Sequence, residues 1–428
     1  MTTQAIAAGP ETFVEARKAT LTGRLSAPAE LLSIPGFLQL GLSNALSQSF
    51  AMRMQGLAVA WVVLEMTGSQ MWLGIVNGVP AISVVLFSLL GGVLADSRDA
   101  RRVLIAVRSG LGAAAFLALV LISTGQIRIE HLLIYGLLAV GLSAIDLPVG
   151  RTLMLQMVGP ERLMNANAMQ NFGMNLVNIA APTSMAILIG VAGSGAAFGV
   201  LGAGYVLGTL TLLKARLSVT PIAPAAPRRS QPVEELIAGL VYVRSTPRVA
   251  ALVSLGFLMP FAGVYFAMIP TFARDVLSAG AGGLGLMVAA FSLGSLAGSM
   301  LLVMSQGIRR RGGKVAVLGI LFGAGMIGFA VSESLLLSSA ISLSMGFIAA
   351  FWQNMVTTMV QTVAAPEMRG RTLSVFTMGF QLASLGWLIG GVTASLAGPE
   401  AAVAIAGICF AGFSTLIFTV SKEAREVD

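Results

Sequence analysis

The chain has 428 residues, 56% of them hydrophobic and 10% charged, and its mean hydropathy of +0.88 is far above what a water-bounded core of this length needs, so the bilayer must be its solvent. One Cys (Cys409) and one His (His131) leave no donor set for a disulfide framework, a zinc site or a Cys/His catalytic pair, and no cofactor or metal is expected. The net charge of +8 is scattered between long apolar runs without aromatic interleaving, which argues against a nucleic-acid surface.

In chain order, residues 1–34 carry Glu11, Glu15, Arg17, Lys18 and Arg24 with no apolar run and read as a cytoplasmic tail, not a cleavable signal. Apolar runs long enough to satisfy their own backbone in lipid follow, each needing roughly 20 residues. Spans one to six fall at 36–64, 70–96, 102–125, 131–151, 165–191 and 195–213, giving an N-terminal bundle over 35–213. A polar stretch with Pro221, Pro224, Pro227, Arg228, Arg229 and Pro232 marks a cytoplasmic linker over 214–248. Spans seven to twelve fall at 249–273, 281–305, 314–332, 334–361, 371–396 and 400–420, giving a C-terminal bundle over 249–420 before a short tail at 421–428. The predicted fold is an all-α membrane protein of twelve transmembrane helices in two pseudo-symmetric six-helix bundles.

Lys and Arg set the orientation. With both termini cytoplasmic, all but three of the 26 fall in cytoplasmic segments, Arg98, Arg101, Arg102 and Arg108 being counted with the connection between spans two and three. Arg128 and Arg274 lie outside, and Arg53 lies within span one. Gly92 and Gly298 precede basic clusters in the two halves at the same offset that separates Pro160-Glu161 from Pro366-Glu367, as duplication of a six-helix unit would produce.

Ionisable groups in the hydrocarbon cost on the order of 2.5–3.5 kcal/mol on insertion scales and ask for a reason. Asp146, beside Pro148 in span four, reads either as a carboxylate that loads and releases a proton or as a paired structural residue, for instance with Arg151. On a helical wheel Asn44, Gln48 and Gln55 share one face of span one, and Arg53, which would suit an anionic solute group, points away from it. Asn171, Asn175 and Asn178 make a stripe along span five that either bonds neighbouring helices or lines a pathway. Span ten carries Trp352, Gln353, Asn354, Thr357, Thr358 and Gln361. Gly74/Gly78, Gly294/Gly298 and Gly386/Gly390 allow close helix approach.

The run Gly92-Val-Leu-Ala-Asp96-Ser-Arg98-Asp99-Ala-Arg101-Arg102 resembles the signature loop of the major facilitator superfamily, with Ser97 where that family usually has Arg. Asp146-Leu-Pro148-Val-Gly-Arg151, Pro160-Glu161-Arg162-Leu-Met-Asn165 and Pro270-Thr-Phe-Ala-Arg274-Asp275 resemble its siderophore, macrolide and tetracycline efflux branch. The resemblance implies a central cavity ringed by spans one, four, seven and ten, and sliding contacts between the halves at spans two, eight and eleven. It also implies a latch from Asp96 to the start of span eleven near Arg371, with Asp99, Arg101, Arg102 and Arg151 completing a charge network.

Without a GxxxxGK[ST] loop, ATP is not the expected driver, and no catalytic constellation suggests an enzyme. The resulting expectation is a monomeric, proton-coupled exporter of an amphipathic small molecule, in the bacterial cytoplasmic membrane or one derived from it. An importer or flippase for another cargo and a transport-inactive scaffold are the alternatives.

Overall fold

A computed structural model describes residues 30–84, 87, 91, 94, 99–215, 232–304 and 311–420. Those residues are helix almost throughout, with no strand among them, and nine of the described helices are long and apolar enough to cross a membrane. Lipid offers no partner for a free peptide group, so each crossing segment closes its own hydrogen bonds.

Local chemistry decides where the helices stop. Gly68 adopts φ 60 and returns its N–H to the Leu64 carbonyl, ending helix Met52–Thr67. Ser69 then caps helix Gln70–Gly78 by accepting the Trp72 N–H. The long stretch Ile129–Lys214 is divided by Gly159 (φ 76) and Gly193 (φ 79), a backbone conformation that side chains with a Cβ rarely adopt, and these breaks separate spans four, five and six.

Spans one and seven contain π- or 3₁₀-helical turns. Span one runs as Phe37–Asn44, a π-helical turn Ala45–Ala51 and Met52–Thr67. Span seven runs as Pro247–Ser254, a 3₁₀ turn Leu255–Leu258, helix Met259–Thr271 and a π-helical turn Phe272–Val276. Span three is helix Ala100–Ser123, span eight Gly280–Met304, span nine Arg311–Ala330, span ten Leu335–Val363 and span twelve Pro399–Val420. Span eleven is split into Arg369–Gln381 and Ala383–Ala397.

Spans one, three, four and six pack on one another in the first half, and spans seven to twelve do so in the second. The glycine pairs divide between internal packing and contact across the halves. Gly74 and Gly78 do cross: a Cβ on Gly74 would stand 2.7 Å from the Trp387 carbonyl and 2.8 Å from the Gly391 Cα. Gly294 and Gly298 instead seat the span-ten backbone at Leu343 and Phe347, and Gly386 seats Gly263 of span seven, both within the second half. The glycine of span eleven that meets span two is Gly391, one position beyond the predicted pair and so rotated about 100° to another face.

The close approaches between halves at Gly74–Gly391, at Gly190 against Ala281 and Gly282, and at Arg274 against Leu64 all lie at the end remote from the basic connections. Helix Pro232–Ser245, inside the stretch read as linker, lies along span eleven: Gly239 meets the Arg371 backbone and the Ala365 N–H donates to the Tyr242 hydroxyl at 3.1 Å.

Candidate functional site

Span three starts at Asp99, whose carboxylate accepts the Arg102 N–H at 3.0 Å and caps the helix. Arg108 comes two turns after Arg101 on that helix, a rise of about 10 Å, and its side chain is fully buried. Its guanidinium forks onto Asp146 of span four, with Nε–Oδ2 at 2.8 Å and Nη2–Oδ1 at 2.9 Å. Nη2 also donates to Asn44 Oδ1 at 2.8 Å, and Nη1 donates to the Ser43 hydroxyl, which itself donates to the Gly208 carbonyl of span six. Gln48 donates from Nε2 to Asp146 Oδ1.

Spans one, three, four and six thus converge on one buried ion pair. Glycines make the approach possible: a Cβ on Gly208 would stand 3.2 Å from the Ser43 carbonyl, and one on Gly150 would stand 3.0 Å from Gln48 Nε2. Planar bidentate pairing suits Arg and not Lys. Two desolvated charges gain little net stability from each other, whereas removing one strands the other at about 3–5 kcal/mol. Tyr205, fully buried on span six, packs against Gly112 one turn beyond Arg108, and its hydroxyl is one of several buried polar atoms without a protein partner.

Charge counting puts Arg108 with the loop arginines, whereas the structure buries it inside span three. It lies inside the predicted run 102–125, and that position was the available signal. The partner of Asp146 is Arg108 and not Arg151, which is exposed. Asn44 and Gln48 both reach the pair, as their shared face on span one allows, while Gln55 is buried with Oε1 unpartnered. The side chains of Arg53, Asn171 and Asn175 lie outside the described residues, as do Gly92 and Asp96 altogether.

The other predicted network members serve separate local roles. Arg102 pairs with Asp99 at 2.7 Å on the surface. Arg101 donates from Nη2 to the Leu212 and Leu213 carbonyls at 3.0 and 2.9 Å, a cation on the negative end of span six. Arg371 reaches Met368 Sδ at 3.7 Å in its own first turn.

On span ten, Gln353 and Asn354 are exposed, and Asn354 donates to Ser299 of span eight at 3.3 Å. Trp352 points elsewhere: it is buried, with its ring 5.9 Å from Phe410 of span twelve. An apolar groove of about 300 Å³ between spans eight and ten, lined by Leu293, Gly294, Ala297, Leu343, Ser344, Phe347 and Ile348, lies in the other half from the ion pair. Among the described residues no three His, Cys, Asp or Glu side chains cluster as metal ligands.

A family model described as a transmembrane secretion effector matches residues 29–427. The chain belongs to this family of the major facilitator superfamily. The transporter is 24% identical over 378 residues to the enterobactin exporter EntS of Shigella boydii serotype 18, covering 86% of this chain and 88% of the relative. It matches the EntS of Escherichia coli O139:H28 to the same extent. Among solved structures it resembles a bacterial homologue of the human lysosomal transporter Spinster, inward-facing and occupied, with a TM-score of 0.72 at 14% identity over 91% of this chain and 97% of that one. A D-xylose–proton symporter gives a TM-score of 0.66 at 14% identity over 91% and 98%. At such identities the structural likeness speaks for the fold alone. The transporter is therefore a multi-pass integral membrane protein that moves a small molecule through the bilayer and is not an enzyme.

Proposed function

We propose that this transporter is a proton-coupled exporter of an amphipathic organic solute, a siderophore being the first candidate, that works by alternating access in the bacterial cytoplasmic membrane with both termini inside. The exporter relatives support the direction and solute class. The observation that carries the coupling is the buried Arg108–Asp146 pair tied to span one through Ser43, Asn44 and Gln48.

Protonating Asp146 removes one charge of the pair. Arg108 then depends on the neutral oxygens of Ser43 and Asn44, and Gln48 loses a carboxylate acceptor. Proton loading and rearrangement of span one at its π-helical turn become a single event, which is what exchange of a proton for a solute requires. The close approaches between halves at Gly74, Gly190 and Arg274, at the end remote from the basic connections, support a cavity that opens toward the cytoplasm. Gln353, Thr357 and Gln361, at i, i+4 and i+8 on span ten, are too polar for lipid and form part of its wall. Asn44, Gln48 and Gln55 belong to the facing half, with Arg53, Asn171 and Asn175 as further candidates.

The test is transport of a catecholate siderophore by the full chain in proteoliposomes under an imposed pH gradient. Asp146→Asn alone strands Arg108, so the decisive form is the neutral pair Arg108→Gln/Asp146→Asn. It is expected to keep solute exchange across the membrane and lose gradient-driven accumulation. Accumulation that persists in the folded double variant removes Asp146 from proton coupling.

A further inference from the structure

We propose that Arg274 is a latch that holds the two halves together at the end remote from the basic connections, by capping the C-terminus of span one from the other half. Its Nη1 donates to the Leu64 carbonyl, in the last turn of helix Met52–Thr67. That carbonyl also takes the Gly68 N–H at 2.9 Å, so Arg274 adds a cation to the negative end of a helix that already closes on itself.

Both sides of the contact are anchored. Span one keeps its last turns fixed through Trp61 Nε1–Glu65 at 2.7 Å and Thr67 Oγ1–Val63 O at 2.7 Å. On span seven, Phe272 is buried two residues before the arginine, its ring 4.6 Å from Phe329 of span nine. Pro270 lies within helix Met259–Thr271 and has no N–H to return, and the π-helical turn Phe272–Val276 follows at once. A π-turn inserts one residue into the helical count and re-aims what comes after it by about 100°. Arg274 is thereby turned across the gap between halves.

The surrounding contacts between halves, Gly74 against Trp387 and Gly391 and Gly190 against Ala281 and Gly282, are backbone and small-residue packing that can part at modest cost. Arg274 adds a charge-assisted bond to them. Asp275 Oδ1, 3.5 Å from Arg274 Nε, gives the guanidinium a partner when the halves separate, and the Arg274 side chain is one-third exposed, so water can replace the Leu64 carbonyl. The bond is strong enough to bias the equilibrium between closed and open ends and weak enough to break in each cycle.

The inference rests on the alternating-access reading above but not on proton coupling. The test places spin labels at Met71→Cys and Leu396→Cys, exposed at this end on spans two and eleven, in a Cys409→Ser background, and measures their separation in the reconstituted full chain. Arg274→Ala is expected to raise the population with long separations on the order of tenfold, and Arg274→Lys, which keeps a charged donor, is expected to restore the short one. Arg274→Met serves if the alanine variant does not fold. A distribution in Arg274→Ala or Arg274→Met equal to that of the parent overturns the latch, and so does a lengthening that Arg274→Lys fails to reverse. If such a variant still transports under a gradient, the latch falls and the transport reading stands. A parent distribution that never changes with pH or added solute would sink alternating access, and the latch with it.

Discussion

Arg108 has five N–H donors and no way to lose its charge inside the protein, so whatever surrounds it must supply both a counter-charge and neutral acceptors. Asp146, Ser43 and Asn44 supply them, which makes the response to substitution asymmetric. Arg108→Met leaves a buried carboxylate with Gln48 as its remaining side-chain donor and is expected to cost about 3–5 kcal/mol, read as an early thermal transition in detergent. Arg108→Met/Asp146→Leu, which removes both charges, is expected to recover most of that loss. Arg101 is a smaller case: Arg101→Ala gives up two carbonyl contacts at the end of span six, about 1 kcal/mol, visible as faster hydrogen exchange around 212–215. Asp146 was legible in the sequence because an acid beside a proline in an apolar run stands out. Its partner was hidden because an arginine near a helix start looks like a loop charge until its rise along the helix is counted.

At the scale of elements, the glycines separate folding from movement. Gly294 packs against the Leu343 carbonyl within one half, so Gly294→Ala is expected to lower thermal stability sharply. Gly74 makes its contact across the halves, so Gly74→Ala is expected to fold with near-normal stability and to shift the molecule away from the conformation described here, seen as increased labelling of cysteines placed at that end. Gly190→Ala, whose added methyl would meet Ala281 at an ordinary 3.7 Å, is the neutral control. The helical runs themselves were readable because lipid enforces long apolar segments. Which glycines bridge the halves was not, since a repeat spacing fixes a face but not the neighbour that covers it. Trp352 differs for the same reason: its polar neighbours in sequence suggest a cavity face, but one position of rotation turns the indole toward Phe410. Helix Pro232–Ser245 was obscured by the prolines before it, although Val-Glu-Glu-Leu-Ile-Ala carries ordinary helix-forming residues.

For the whole molecule, the close approaches made between halves by Gly74, Gly190 and Arg274 share one end among the described residues, and the exposed polar positions of span ten lie toward the other. The Arg108–Asp146 pair is buried within the first of these halves. The composition announced a bilayer protein and the loop charges suggested its orientation, but the buried Arg108–Asp146 pair with its ring of partners needed four spans brought together. The most direct test adds a catecholate siderophore to the purified transporter in weakly buffered solution and follows proton release. The parent should release protons on solute binding, and Arg108→Gln/Asp146→Asn should bind solute without doing so. Equal proton release from the folded double variant would contradict a coupling site at this pair.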